Sequence, residues 1–207
     1  MKTRLLKSAI IAVLICMSTN MSAFTAVVSG AWSSATTWGG VAPGATVTNQ
    51  DIIIPTGITV DLDMDVTFDG IVNTFTVDGT LNSASNNNVW IIGGTFAGSG
   101  AVDIHRLSFS GLLTSTTFNG TLVLNVLQNQ GSTLTMSSST TISDTLDLDD
   151  GSTILASGSN MSIQNNGNVR VEAGTLTTTG GVFSTTISYD VWYYGLSKTT
   201  GLEVNSS

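Results

Sequence analysis

The stretch TFTVDGTL, residues 74–81, sets the pattern of the chain: a run with an apolar residue at every second position, a turn of Asp and Gly, then the next run. The same unit returns on both sides as ITVDLDMDV (Ile58–Val66), NVWIIGGTF (Asn88–Phe96), TLVLNVL (Thr121–Leu127), TISDTLDLD (Thr141–Asp149) and NVRVEAGTL (Asn168–Leu176). A period of two marks a half-buried strand, and turn clusters every 8–12 residues or so mark an all-β fold. No amphipathic helical pattern follows residue 26.

A second regularity is Gly followed by Thr or Ser and an apolar residue, at Gly79, Gly94, Gly120, Gly131, Gly151 and Gly174, the last three spaced by 20 and 23 residues. Self-similarity at that interval is the mark of a solenoid, in which each coil buries its apolar side on the next. Glycine suits the corners because positive φ costs it nothing, and Thr, Val and Ile suit the faces. These patterns predict a right-handed parallel β-helix, a β-solenoid, with an N-terminal cap. An antiparallel β-sandwich is the alternative, since alternation does not report whether neighbouring strands run parallel.

The N-terminus reads differently. Lys2, Arg4 and Lys7 precede an apolar run from Ala9 to Met17, and small and polar residues lead to Ala23 and Ala26. That is the layout of a secretory signal peptide over residues 1–26, with an apolar run too short for the roughly 20 residues of a membrane-spanning helix. Without the leader only Arg106, Arg170 and Lys198 oppose fourteen acidic residues, a net charge of −11. Such a chain does not hold a nucleic-acid backbone. Cys16 leaves with the leader, so disulfides and Cys/His metal sites are excluded, and packing and hydrogen bonds must carry stability. The expected organisation is a single domain over 27–207: cap 27–50, repeats 51–188, closing segment 189–207.

The segment GAWSSATTWGGVAPGATVTNQDIIIPTGITVDLD, Gly30 to Asp63, places Trp32, Trp38, Gly39, Gly40, Pro43, Asp51, Ile52, Ile54, Gly57, Val60, Leu62 and Asp63 in an order that resembles the start of the eight-glycine ("G-eight") domain and of related β-helical modules of secreted bacterial surface proteins. Near the other end, Tyr193, Gly195, Thr199, Gly201 and Glu203 resemble a closing signature of such modules. The resemblance implies a secreted or cell-surface address. By analogy with animal members that include a hyaluronan-binding protein, it also implies a polysaccharide or extracellular-matrix partner.

Three residue sets are candidates for chemistry. Asp61, Asp63 and Asp65 alternate with apolar residues, and Asp147 and Asp149 repeat the arrangement with Leu146 and Leu148. Carboxylate rows of this kind suit calcium, a hard cation wanting six to eight oxygens, while an acidic solvent face is the plainer expectation. Trp192, Tyr193 and Tyr194 form an aromatic patch suited to sugar stacking, and Trp32 and Trp38 serve either as the lid of the first coil or as a second stacking platform. His105, the only histidine, lacks the nucleophile and orienting acid that a triad needs. No catalytic residues are assigned. The sequence points to a non-catalytic β-solenoid for adhesion or carbohydrate binding, with calcium as the one cofactor to test. The alternatives are a polysaccharide-degrading β-helix enzyme, recognisable by two or three acids converging with Arg106 or Arg170, and a structural stalk.

Overall fold

A computed structural model describes residues 23–70, 73–111, 114–164, 166–185 and 189–194. The expected signal peptide up to residue 22 and the closing segment beyond Tyr194, Lys198 included, lie outside the described residues. Among the described residues the chain is all-β, every strand pairing is parallel, and the strands stack into a β-solenoid of about seven turns. Parallel pairing throughout removes the antiparallel sandwich. No helix among these residues is long and apolar enough to cross a membrane.

Each coil has three straight sides, and like sides stack into three ladders. Face A begins with Ala23–Thr25, Asp51–Ile54, Thr74–Val77, Gly94–Ala97 and Thr114–Thr116. Face B runs from Gly30–Ala31 through Thr59–Asp61, Thr80–Asn82 and the start of Ala101–Ser110 to Asn160–Ile163 and Val182–Thr185. Face C runs from Thr46–Val47 through Val66–Phe68, Asn88–Ile91 and the end of Ala101–Ser110 to Asn168–Val171 and Asp190–Tyr193. The long strands Thr121–Met136 and Ser139–Leu155 bend through two corners each and carry all three faces in turn. Consequently the alternating runs of the sequence are not single strands: Thr74–Leu81 supplies a side to face A and then one to face B, joined at Asp78-Gly79.

The inward residues form continuous columns. On face B, Val60, Leu81, Val102, Leu122, Thr140, Met161 and Phe183 stand one above another. On face C, Val66, Val89, Leu107, Leu127, Leu146 and Val169 do the same. Stacking like on like lets each coil close the apolar surface of its neighbour, the arrangement that makes a repeat stable only in company. Aromatic residues concentrate in the earlier coils. Phe68 stacks on Phe75 at 4.6 Å between ring centres, Phe96 on Phe118 at 4.7 Å, and Phe75 meets Phe96 at 5.7 Å.

The N-terminal cap belongs to the first described coil, whose face A strand is Ala23–Thr25. Trp32 is 0% exposed, packs edge-on against Phe68, Phe75 and Trp38, and donates its indole N–H to the Gly44 carbonyl at 2.9 Å. Trp38 is also buried and donates to the Trp32 carbonyl at 2.8 Å. Both indoles have spent their faces and their N–H groups on the fold, so the stacking-platform option for Trp32 and Trp38 gives way to the lid.

The glycine recurrence resolves into two kinds of corner. Gly79 and Gly120 lead into face B, whereas Gly94, Gly151 and Gly174 lead into face A. At the first kind, Gly79, Gly100 and Gly120 are stacked so closely that a Cβ on Gly100 would lie 2.0 Å from the Gly79 carbonyl oxygen, and one on Gly120 2.0 Å from that of Gly100. At the second kind the two Gly-Ser-Thr sets stack one residue out of step, Leu134 standing on Thr153 rather than on Ile154. The slip follows from irregularities in the ladder between Thr121–Met136 and Ser139–Leu155: Asn129 pairs with Leu148 and Gln130 with Asp150, which leaves Asp149 as an extra residue and brings the sets into step, but Thr133 pairs with Ser152, which takes them out of step again.

Candidate functional site

Face C holds the candidate site, and the parallel register builds it. Along its outward side Thr67, Trp90, Ser108, Gln128, Asp147, Arg170 and Trp192 occupy one column, one residue per coil. The intervening residues, such as Leu107, Leu127 and Leu146, point into the core and fix the strand that carries each outward side chain. Strand alternation thus converts residues scattered over more than a hundred positions into neighbours.

The lower part of the column is a hydrogen-bonded chain. Ser108 Oγ donates to Gln128 Oε1 at 3.0 Å. The Gln128 amide nitrogen donates to Asp147 Oδ2 at 3.2 Å and to Asp149 Oδ2 at 2.9 Å, and Gln130 Nε2 also donates to Asp149 Oδ2 at 3.0 Å. Asp149 reaches this face by ordinary alternation after inward-facing Leu148, and the extra residue in the strand leaves Asp150 on the outer side as well. Bulges commonly re-aim side chains in this way beside functional sites.

Asp147 is the electrostatic centre. Its side chain is 8% exposed, and Arg170 Nη1 reaches its Oδ2 at 3.2 Å. Burial pushes the Asp147 carboxyl up to about 6, helped by a hydrogen bond and like charge from Asp149, against the downward pull of Arg170 and Arg106. The guanidinium is correspondingly held above its ordinary range, chiefly by Asp147. Having met the acid on one side, Arg170 lies over the Tyr194 ring at 5.2 Å on the other. Asn168, Arg170, Trp192 and Tyr194 line a shallow open cavity of about 200 Å³. Enclosed small-molecule pockets run from about 300 to 1,000 Å³, so this one suits a single ring of a larger, mostly exposed ligand.

Trp192 is 53% exposed at the rim of this cavity, and Tyr194 is exposed beside it. Tyr193 occupies the other phase of the strand, stacked on Val171 in an inward column. The aromatic patch therefore divides between a pair on the face and Tyr193, which ends the core column and is itself exposed there. The second acid row and the aromatic patch, read from separate stretches of sequence, are parts of one site.

The first acid row disperses. Asp61 stands on the outward side of face B in a column with Asn82 and Asp103. Asp63 accepts from the backbone N–H and hydroxyl of Ser33, and Asp65 accepts from the backbone and side-chain N–H groups of Asn88 at 2.8 and 2.9 Å. These two carboxylates tie a corner to the coils on either side of it. Among the described residues no three His, Cys, Asp or Glu side chains gather in a metal-binding group. His105 sits between faces B and C with a sealed Nδ1 that makes no hydrogen bond.

Trp90, Gln128 and Gln130 were not singled out by the sequence. Their signal is positional: each lies at the outward phase of a face C strand, which becomes visible only once the coils are aligned. No family model matches the chain, and neither the curated proteins nor the solved structures give a match. The likeness to the eight-glycine domain accordingly rests on its motif residues, and the architecture that stands is a parallel β-solenoid.

Proposed function

We propose that this protein is a non-catalytic carbohydrate-binding β-solenoid module of a secreted or cell-surface protein, and that face C is where it holds glycan. The carrying observation is the exposed Trp192 indole at the mouth of a shallow cavity whose other walls are Asn168, Tyr194 and the Asp147-anchored Arg170. An indole gives a flat apolar surface for the C–H face of a sugar ring, and amide and guanidinium groups give donors for its hydroxyls. Arg170 is braced on two sides, so little rotamer freedom is lost when it meets a ligand.

The acids favour binding over hydrolysis. Glycosidases hold their two carboxyl groups about 5–9.5 Å apart so that a sugar, or a sugar and a water, fits between. Asp147 and Asp149 instead both accept from one Gln128 amide nitrogen, at 3.2 and 2.9 Å, so they sit side by side on one edge of the site rather than on either side of a bound sugar.

The test is retention on a polysaccharide array by the chain lacking its leader, with calcium and with chelator. Retention that Trp192→Ala abolishes, with an unchanged far-UV circular dichroism spectrum, supports the proposal. Chelation is expected to leave retention intact, because Asp147 and Asp149 already have protein partners and Asp61, Asp63 and Asp65 diverge. Loss of retention on chelation would instead restore calcium as part of the site. A folded chain that retains no saccharide refutes glycan binding and leaves the structural stalk.

A further inference from the structure

We infer that the ligand is a linear, uncharged polysaccharide lying lengthwise along face C, parallel to the solenoid axis, from Trp192 to Trp90. This rests on the carbohydrate-binding proposal and adds the ligand's form, direction and charge.

The first argument is geometric. Trp192 and Trp90 occupy the same outward column, with Arg170, Asp147, Gln128 and Ser108 on the coils between them. Neighbouring strands lie about 4.7–4.9 Å apart, so five steps separate the two indoles by about 24 Å. A ring in an extended 1,4-linked glycan advances by a distance close to one strand spacing. A chain laid along the column therefore keeps near one ring per coil, and meets an indole at each end.

Relief is the second argument. Ser108, Gln128 and Asp147 are buried, hydrogen-bonded to one another in series, so none of them rises across the path. The two tryptophans do project, Trp192 strongly and Trp90 partly. A polar trough with an aromatic step at either end fits a polymer strand better than a compact ligand, which would need only the cavity beside Trp192.

The third argument is charge. Around Arg170 the same face carries Asp149, Asp150 and Asp190, with Glu172 at its edge, and among the described residues Arg106 is the only other cation on it. Arg170 already has Asp147 as partner, so the field over the trough is negative and a polyanion meets repulsion along its length. Hyaluronan, polygalacturonate and alginate are disfavoured, and neutral glucans, xylans and mannans are the matching class.

The experiment is calorimetric titration of the leaderless chain with neutral 1,4-linked oligosaccharides of two to eight rings, and with the three polyanions. Affinity should rise with length and level off near six rings, one for each residue of the column from Trp90 to Trp192. Trp192→Ala should remove binding at every length. Trp90→Ala should weaken the six-ring ligand about three- to tenfold, the range expected for one aromatic contact, and leave the two-ring ligand unchanged. Trp90→Tyr, which keeps a platform and packs in nearly the same space, should restore most of the loss and guards against a folding effect of the alanine variant. Affinity flat beyond three rings, a silent Trp90→Ala, or preference for a polyanion would each overturn the lengthwise neutral ligand while leaving the Trp192 site standing. Saccharide binding indifferent to Trp192→Ala, or no binding at all, overturns the site and this inference together.

Discussion

Replacing Asp147 by Asn should make the protein more stable at neutral pH, although it breaks the ion pair with Arg170. The Asp147 carboxyl titrates at about 6 in the folded chain against 3.8 as its ordinary value. Between those values the folded state keeps a proton that the unfolded state has released, so stability is greatest below the lower value and falls as pH rises through the upper one. Each unit is about 1.4 kcal/mol, which puts the neutral-pH penalty at about 3 kcal/mol. An Asn of the same shape escapes that penalty and can still donate to Asp149. The pull of Arg170, whose side chain is 46% exposed, is already contained in that net shift, and the poorer fit of an amide to the hydrogen bonds from Gln128 costs about 1 kcal/mol. The expected net gain is about 2 kcal/mol at pH 7.5, or about 4–8 °C in Tm for a domain of this size, shrinking to nothing as pH falls below about 4. Scanning calorimetry of both proteins from pH 3.5 to 8 measures it, and taking the difference cancels the other carboxylates. A variant less stable than the parent at pH 7.5, or a difference constant across the range, would refute the assignment of Asp147 as a strained, proton-retaining acid.

Other changes test the frame that holds the site. Gly100→Ala drives a Cβ into the backbone of Gly79 and should cost more than about 3 kcal/mol in urea unfolding, or prevent folding. Gly44→Ala is its control: nothing lies within 4 Å, and only its positive φ of 81° opposes the change, at about 1–2 kcal/mol. Trp32→Ala should lose about 3–5 kcal/mol by the same measurement, since it empties the centre of the first coil. Cleavage of the leader expected from the sequence should leave an N-terminus at Phe24 or earlier, as read by mass spectrometry of the protein expressed in a secreting host. Cleavage after Ala26 would delete the Ala23–Thr25 strand that pairs with Asp51–Ile53.

The solenoid was legible because its two causes are local. Alternation at Thr74–Leu81 and glycine at Gly79 report a strand and a corner wherever they occur, and Trp32 and Trp38 announced a cap. The site was legible only in pieces. Asp147, Asp149, Trp192 and Tyr194 stood out as residue types, but their meeting depends on register, and register depends on coils of unequal length. The ladder irregularities on either side of Gln130 are a further obstacle, because the matching Gly-Ser-Thr sets at Gly131 and Gly151 suggest an alignment from which the chain departs by one residue. Asp61, Asp63 and Asp65 misled for the complementary reason: they look alike in sequence, yet Asp63 and Asp65 serve the corner rather than a face.

The uneven placement of the aromatic rings bears on how this protein acquires its shape. Trp32, Trp38, Phe68, Phe75, Phe96, Phe109 and Phe118 all lie in the part of the chain that a ribosome completes first, and they touch in an unbroken series. Beyond Phe118 the core columns turn to Leu, Ile, Val and Met until Phe183. Parallel pairing demands distant contacts and is slow to begin, whereas adding one coil to an existing edge closes only a short loop. The early rings thus furnish a seed on which later coils wind in order of synthesis, and the face C cavity lined by Asn168, Arg170, Trp192 and Tyr194 forms only once that seed is in place.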